Sequence, residues 1–210
     1  FDGELSFIDG PEDVMRELEG LLISMLKKVK ASHGDQIKQE FETEVTIPKA
    51  PFPVWTMAEA KDRLAKVKVK SDHPGDLSPE EERKLSELAA KETGHDFLFV
   101  SEYPVSKRPF YHMRYEDRPE LTKSFDLLYR GVEIVTGAQR EHRYNKLIEQ
   151  AKEKNMDLKA LDFYLNFFKY GCPPHGGFGM GPTRIMMKLL NAENIREVTF
   201  LHRGVKRLNP

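Results

Sequence analysis

The stretch DLLYRGVEIVTGAQREHRY, residues 126–144, decides the fold. Up to Gln139 it consists of two short runs rich in β-branched and aromatic residues, with turn-prone Arg130 and Gly131 between them. Runs so short and so rich in Val, Ile and Tyr suit strands better than helices. Two more runs upstream, DFLFVSEYP (96–104) and RPFYHMRY (108–115), have the same texture. Four such runs in succession, separated by turn-prone or charged residues, predict a mainly antiparallel sheet. Helices over about 144–154 and 158–169, a helix over 182–190 and a last short strand REVTFL (196–201) are expected to follow.

Outward toward the amino terminus, FDGELSFID (1–9) alternates Phe1, Leu5 and Phe7 with Asp2, Glu4 and Ser6, the period of a half-buried strand. It starts at the first residue and without methionine, so the expectation is a chain cut inside a sheet, with sequence upstream. PEDVMRELEGLLISMLKKVK (11–30) places Val14, Leu18, Leu21, Leu22, Met25 and Val29 on one face of an amphipathic helix, with Pro11 and two acids in its first turn. Pro48, Pro51 and Pro53 predict irregular structure over 42–55. Thr56 caps a short helix, and Ser78 with Pro79 and Glu81 forms a capping box for another, so 56–94 reads as a helical insertion. The whole is α+β, an antiparallel β-sheet flanked by helices.

Composition narrows the function. With 33 Lys+Arg against 34 Asp+Glu the net charge is near zero, and no global field favours nucleic acid. The single cysteine, Cys172, excludes an internal disulfide and a cysteine-rich zinc site, as expected of a protein in a reducing cytosol. No apolar run reaches the ~20 residues of a membrane helix and no cleavable leader opens the chain, so the expected location is cytoplasmic, with no membrane partner.

The chemistry-bearing residues fall in two places. In GCPPHGGFGMGPTRIMMKLL (171–190) a glycine-rich loop leads into the helix that carries Arg184. Gly176, Gly177, Gly179 and Gly181 let backbone lie against something flat, and a helix starting at Pro182 aims free N–H groups and a positive dipole end at it. On spacing alone, a tight crossing of helix over strand accounts for the glycines equally well. In the second place, Glu133 and Thr136 are three apart and would face opposite ways in a simple strand, but a bulge or bend at Gly137 would bring them together. A carboxylate and a hydroxyl are hard-oxygen donors suited to Mg²⁺ and its phosphates. Arg140 follows with a planar fork suited to a carboxylate. Surface ion pairs along an edge strand are the alternative for these charges, and a hydrogen-bonding surface role is the alternative for His142.

Taken in order, FDGELSF, TKSFDLLYRGVEIVTGAQREHR, YGCPPHGGFGMGPTRIMM and NIREVTF with the closing KRLNP resemble the carboxyl-terminal part of the class II aspartyl-tRNA synthetases, especially the archaeal type, with asparaginyl-tRNA synthetases as near relatives. The resemblance runs over 1–210 and is strongest from 96 onward. It implies part of a class II catalytic domain without the anticodon-binding domain. The implied activity is an aspartate–tRNA ligase using ATP and Mg²⁺, with L-aspartate, tRNA(Asp) and, as second candidate, tRNA(Asn) as partners, in a homodimeric parent. The alternatives are an asparagine–tRNA ligase, a truncated paralogue that makes asparagine, or a non-catalytic binding module.

By the same resemblance GMGPTR is motif 3: Gly181, Pro182 and Thr183 lie along ATP, and Arg184 stacks on adenine. Glu133 and Thr136 match the positions that hold Mg²⁺ and the ATP phosphates, which makes Glu133 and Arg184 the catalytic pair. Arg140 grips the aspartate side-chain carboxylate, Asp2 the α-amino group, and Thr136 belongs to the amino-acid side as well. The chain departs from the family at Thr183, where an acid is usual, at Thr136, often serine, and at LHRG (201–204), where the family closes with FPRD. The resemblance also places the motif 2 arginine, motif 1 and the OB-fold domain upstream of Phe1.

Overall fold

In this computed structural model, which describes residues 1–71 and 73–209, the chain runs β1 (Asp2–Ser6), α1 (Pro11–Phe41), β2 (Val54–Thr56), α2 (Met57–Lys66), α3 (Pro79–Thr93), β3 (Phe97–Ser101), β4 (Ser124–Tyr129), β5 (Val132–Gln139), α4 (Tyr144–Glu153), α5 (Asp162–Lys169), β6 (His175–Met180) and α6 (Pro182–Leu189). The strands form one sheet in the order β1-β6-β5-β4-β3-β2, antiparallel except between β2 and β3. The expected antiparallel sheet flanked by helices is therefore what forms.

The hairpin of β4 and β5 turns on two residues, Arg130 and Gly131, at φ 45° and 85°. Two left-handed positions in a two-residue loop match the right-handed twist of the flanking strands. On one face of the sheet, Phe97, Phe99, Phe125, Leu127, Tyr129, Ile134 and Phe178 pack beneath Val14, Leu18, Leu22 and Leu26 of α1. On the other face, Leu98, Val100 and Leu128 pack with Trp55, Ala60, Leu64, Leu85 and Ala89 of β2, α2 and α3. Both capping boxes expected at Thr56 and Ser78 are present. A third apolar cluster joins α4 and α5 to Phe110.

Several local expectations are corrected. The glycine-rich segment is not a loop but strand β6, paired with β1 on one side and β5 on the other. A Cβ on Gly176 would lie 2.7 Å from the Ala138 carbonyl oxygen, and one on Gly177 would lie 2.2 Å from the Glu4 carboxyl. Pairing on both sides overrides the low strand propensity of glycine, and at these two positions close packing is the reason for it. RPFYHMRY forms no strand; it is held by single bridges, His112 to Arg140 and Arg114 to Thr122. Within 42–55 the prolines do prevent regular structure until Val54 begins the parallel edge strand. REVTFL forms no strand; its first three residues lie in a 3₁₀ turn, Ile195–Val198. The first helix runs eleven residues past Lys30, to Phe41, because Ile37 finds a buried position, and the helix expected from 158 starts at Asp162.

Candidate active site

The bend expected at Gly137 lies at Ile134 instead. The β4–β5 register passes from Leu127↔Val135 to Leu128↔Glu133, leaving Ile134 as an extra residue opposite no partner. Ile134 and Val135 consequently both sink into the core beneath α1. The extra residue puts Glu133 in phase with Thr136, and the Thr136 hydroxyl donates to Glu133 Oε1 at 3.1 Å. Gly137 sits in regular pairing with Phe125, whose ring would lie 2.3 Å from an added Cβ.

Register then lays out the rest of the site on the face opposite α1. Asp2 pairs with Gly179, Gly179 with Thr136, and Thr136 with Asp126, forming one row across four strands. Neighbouring strands are ~4.8 Å apart, so Asp2 is on the same face as Thr136 but two strands away. Gly179 between them has no side chain, and its absent Cβ would meet only Asp2 Oδ1, at 3.2 Å. The row therefore has an open trough between Asp2 and Thr136. Gly181 leads into α6, whose Pro182 and Thr183 form the first turn. Arg184 in that turn donates from Nη1 to the Glu133 carbonyl at 2.7 Å and lies 3.4 Å from Glu133 Oε1. Glu133, Thr136 and Arg184 are thus brought together, with Gly181, Pro182 and Thr183 leading up to them. Arg140 follows the end of β5, and Asp2 lies on β1.

Two acids of this site were not expected from the sequence, Asp126 and Glu82. Asp126 is buried in β4 and accepts from Arg108 Nη2 at 2.6 Å, while its Oδ1 has no partner among the described residues. The Arg108 guanidinium lies 3.7 Å from the Tyr103 ring centre, which holds it flat. A signal was present: an acid inside the apolar run SFDLLY is out of place in a strand covered on both faces. Glu82, from α3, accepts the Glu133 backbone N–H at 3.1 Å. One acid among many on a charged helix carries no such signal, and only packing of α3 on the sheet brings it to Glu133.

These acids crowd one another. Burial, and next the Asp126 carboxylate, push the Glu133 carboxyl up. Burial pushes Glu82 up to about 7, with Glu133 and Asp126 adding to it. Excess negative charge and an orphaned buried oxygen fit a hard cation. Among the described residues no three of His, Cys, Asp or Glu come close enough to hold a metal by themselves. Oxygen donors from Glu133, Thr136 and Asp126 therefore suit Mg²⁺ that arrives shared with phosphates, the usual manner of binding for that ion.

At the far end of β5, Arg140 lies between two partners. Its Nη1 meets His112 Nε2 at 2.8 Å and its Nη2 donates to Glu4 Oε1 at 3.2 Å. Arg143 is committed elsewhere, to both oxygens of buried Glu141 at 2.9 Å and to Glu116 at 2.8 Å. His142 is partly buried, with Nδ1 unpartnered among the described residues. Arg184, Glu133 and Glu82 line a cleft of about 500 Å³ between α3 and α6. A slightly larger cleft, about 560 Å³ around Lys49, His95 and Arg130, contains none of these site residues. No helix among the described residues is long and apolar enough to cross a membrane.

Known proteins resemble this chain over its whole length. The chain is 42% identical over 209 residues to the Aspartate–tRNA(Asp) ligase of Pyrococcus furiosus, covering all of this chain and 48% of that protein. It is 45% identical over 209 residues to the Aspartate–tRNA(Asp/Asn) ligase of Thermus thermophilus, covering all of this chain and 49% of the relative. Among solved structures, the aspartyl-tRNA synthetase of Entamoeba histolytica superposes with a TM-score of 0.91 at 32% identity, over all of this chain and 44% of that one. An asparaginyl-tRNA synthetase of Pyrococcus horikoshii, complexed with asparaginyl-adenylate, gives 0.89 at 29%, over all of this chain and 48% of that one. The chain spans about half the length of the curated relatives it matches. With the model of the class II tRNA synthetases for D, K and N matching residues 1–203, the chain belongs to that family.

Proposed function

We propose that these residues are part of the catalytic domain of an aspartate–tRNA ligase, with 56–94 as an insertion that brings Glu82 to the site. The observation that carries the reading is Arg140: a guanidinium fork at the end of β5, held on one side by a neutral imidazole and on the other only by the exposed Glu4. Such a fork is ready to take a substrate carboxylate. In the reaction the aspartate α-carboxylate attacks the α-phosphorus of ATP and pyrophosphate leaves; a ribose hydroxyl at the 3′ end of tRNA then attacks the carbonyl of the adenylate, and AMP leaves. Arg184 holds adenine, Glu133 and Thr136 with Asp126 hold Mg²⁺, and Asp2 takes the α-amino group. Bound Mg²⁺ supplies charge stabilisation to the phosphates. The protein residues act by positioning, without a covalent nucleophile.

The partners in this reading are L-aspartate, tRNA(Asp) with tRNA(Asn) as the further candidate, and a second copy of the full-length protein; its place of work is the cytoplasm. A second reading, asparagine as substrate, is favoured by the asparaginyl-tRNA synthetases among the structural neighbours. The test is exchange of pyrophosphate into ATP by the full-length protein. Exchange that needs aspartate supports the first reading, exchange that needs asparagine moves the assignment to the second, and none with either overturns both.

A further inference from the structure

Arg140 is an unusual arginine for a carboxylate site because one tooth of its fork is already bonded to a histidine. His112 is 3% exposed and its Nε2 lies 2.8 Å from Arg140 Nη1. The contact is fixed from the backbone on both sides. A bridge pairs His112 directly with Arg140, Met113 N–H donates to Gln139 O at 3.0 Å, and Glu141 N–H donates to Tyr111 O at 2.9 Å. From α4, Gln150 Nε2 donates to the Phe110 carbonyl at 2.5 Å and the His112 carbonyl at 3.3 Å. Tyr111 stands edge-on to the imidazole with ring centres 5.2 Å apart and lies beneath the Arg140 guanidinium at 5.5 Å.

The chemistry of the partners assigns the protons. Guanidinium has donors only and keeps its charge, so Nε2 must be the accepting nitrogen, and the ring carries its single proton on Nδ1. Nδ1 is buried and has no partner among the described residues. Burial first, then the neighbouring charges of Arg140 and Arg108, push the imidazole pKa down to about 3. The second tooth, Nη2, is held by Glu4 on β1, whose side chain is 55% exposed.

We infer that His112 is the positioning residue for Arg140, and that as a neutral acceptor it aims the fork without cancelling the charge that a substrate side-chain carboxylate must meet. An aliphatic residue at 112 would leave Nη1 without a partner and the side chain free to change rotamer. A carboxylate at 112 would aim the fork equally well but would form a buried pair that competes with the substrate. Neutral imidazole does the first without the second. On the reading that Arg140 faces aspartate, His112 thereby sets the preference for a charged carboxylate over a carboxamide.

The test uses the full-length protein with His112→Leu, His112→Gln and His112→Glu, measuring aspartate- and asparagine-dependent pyrophosphate exchange. Leu is expected to raise the aspartate KM about 10-fold with the ATP KM changed less than about 2-fold, and Gln, which keeps an accepting oxygen, to recover most of the loss. Glu is expected to raise the aspartate KM by about 100-fold and to narrow the ratio of aspartate to asparagine use. An unchanged aspartate KM in His112→Leu, equal rises for ATP and aspartate, or a Gln variant no better than Leu overturns the assignment. Imidazole ¹⁵N NMR on the unsubstituted protein decides it without activity. A neutral His112 protonated at Nδ1 is expected near pH 7, and an imidazolium or an Nε2–H ring overturns it. If the unsubstituted protein shows no aspartate-dependent exchange, the proposed function fails while the ring measurement still decides the role of His112.

Discussion

Thr136 Oγ1 donates to Glu133 Oε1 at 3.1 Å although the two residues are three apart on one strand. A regular strand would send them to opposite faces. The extra residue, Ile134, restores the phase, and its own side chain joins Val135 in the core under α1. The polar pair is therefore held by hydrophobic burial of the residue that makes the bulge, and the site is only as well placed as that core is packed.

Gly137→Ala tests how tightly that core is packed. The added methyl would lie 2.3 Å from Phe125 Cζ, so either ring or strand must move. The expected loss is about 1–3 kcal/mol of stability by overpacking, seen as a melting temperature several degrees lower. An unchanged melting temperature would show that the Phe125 ring moves aside freely.

Arg140→Lys keeps the charge and loses the fork. The expected cost is on the order of 2–4 kcal/mol in aspartate kcat/KM with ATP affinity little altered, measured by pyrophosphate exchange in the full-length protein. Equal weakening for ATP and aspartate would remove Arg140 from the amino-acid side of the site.

Arg184→Lys keeps a cation at the first turn of α6 but loses the planar group that stacks on a base. The ATP KM is expected to rise about 10-fold with the aspartate KM nearly constant. A rise in the aspartate KM alone would place Arg184 away from the nucleotide.

Glu82→Gln is expected to stabilise the ligand-free protein at pH 8 and not at pH 4. The ordinary glutamate value is 4.5, and in the folded protein burial and its acidic neighbours take Glu82 to about 7. Between those values the folded state holds a proton that the unfolded state has released, so stability falls as pH rises through the window. The two-and-a-half-unit difference, discounted for partial exposure to water, amounts to about 1–2 kcal/mol. Chemical denaturation of both forms at the two pH values checks it; equal stabilities at pH 8 would mean that Glu82 ionises freely.

Much of this protein was legible in its sequence because the signals were local. Capping boxes at Thr56 and Ser78, the apolar stripe of α1, the two β-rich runs about Gly131, and the arginine behind Pro182 are all readable within a few residues. The side chains of the proposed site stood out as well, since Glu133, Thr136, Arg140 and Arg184 are polar where the frame around them is apolar.

Tertiary structure decided what depends on partners distant in the chain. Gly176, Gly177 and Gly179 looked like a loop because propensity is local, and they became a strand because β1 and β5 pair with them from either side. The bulge fell at Ile134 rather than Gly137 because β4 and the core under α1 choose the register, and the nearest glycine does not. Asp126, Glu82 and His112 were hidden for the same reason. Each acquires its role only from a contact with Arg108, Glu133 or Arg140, at sequence separations of 18, 51 and 28 residues, and such contacts exist only once the sheet has closed around them.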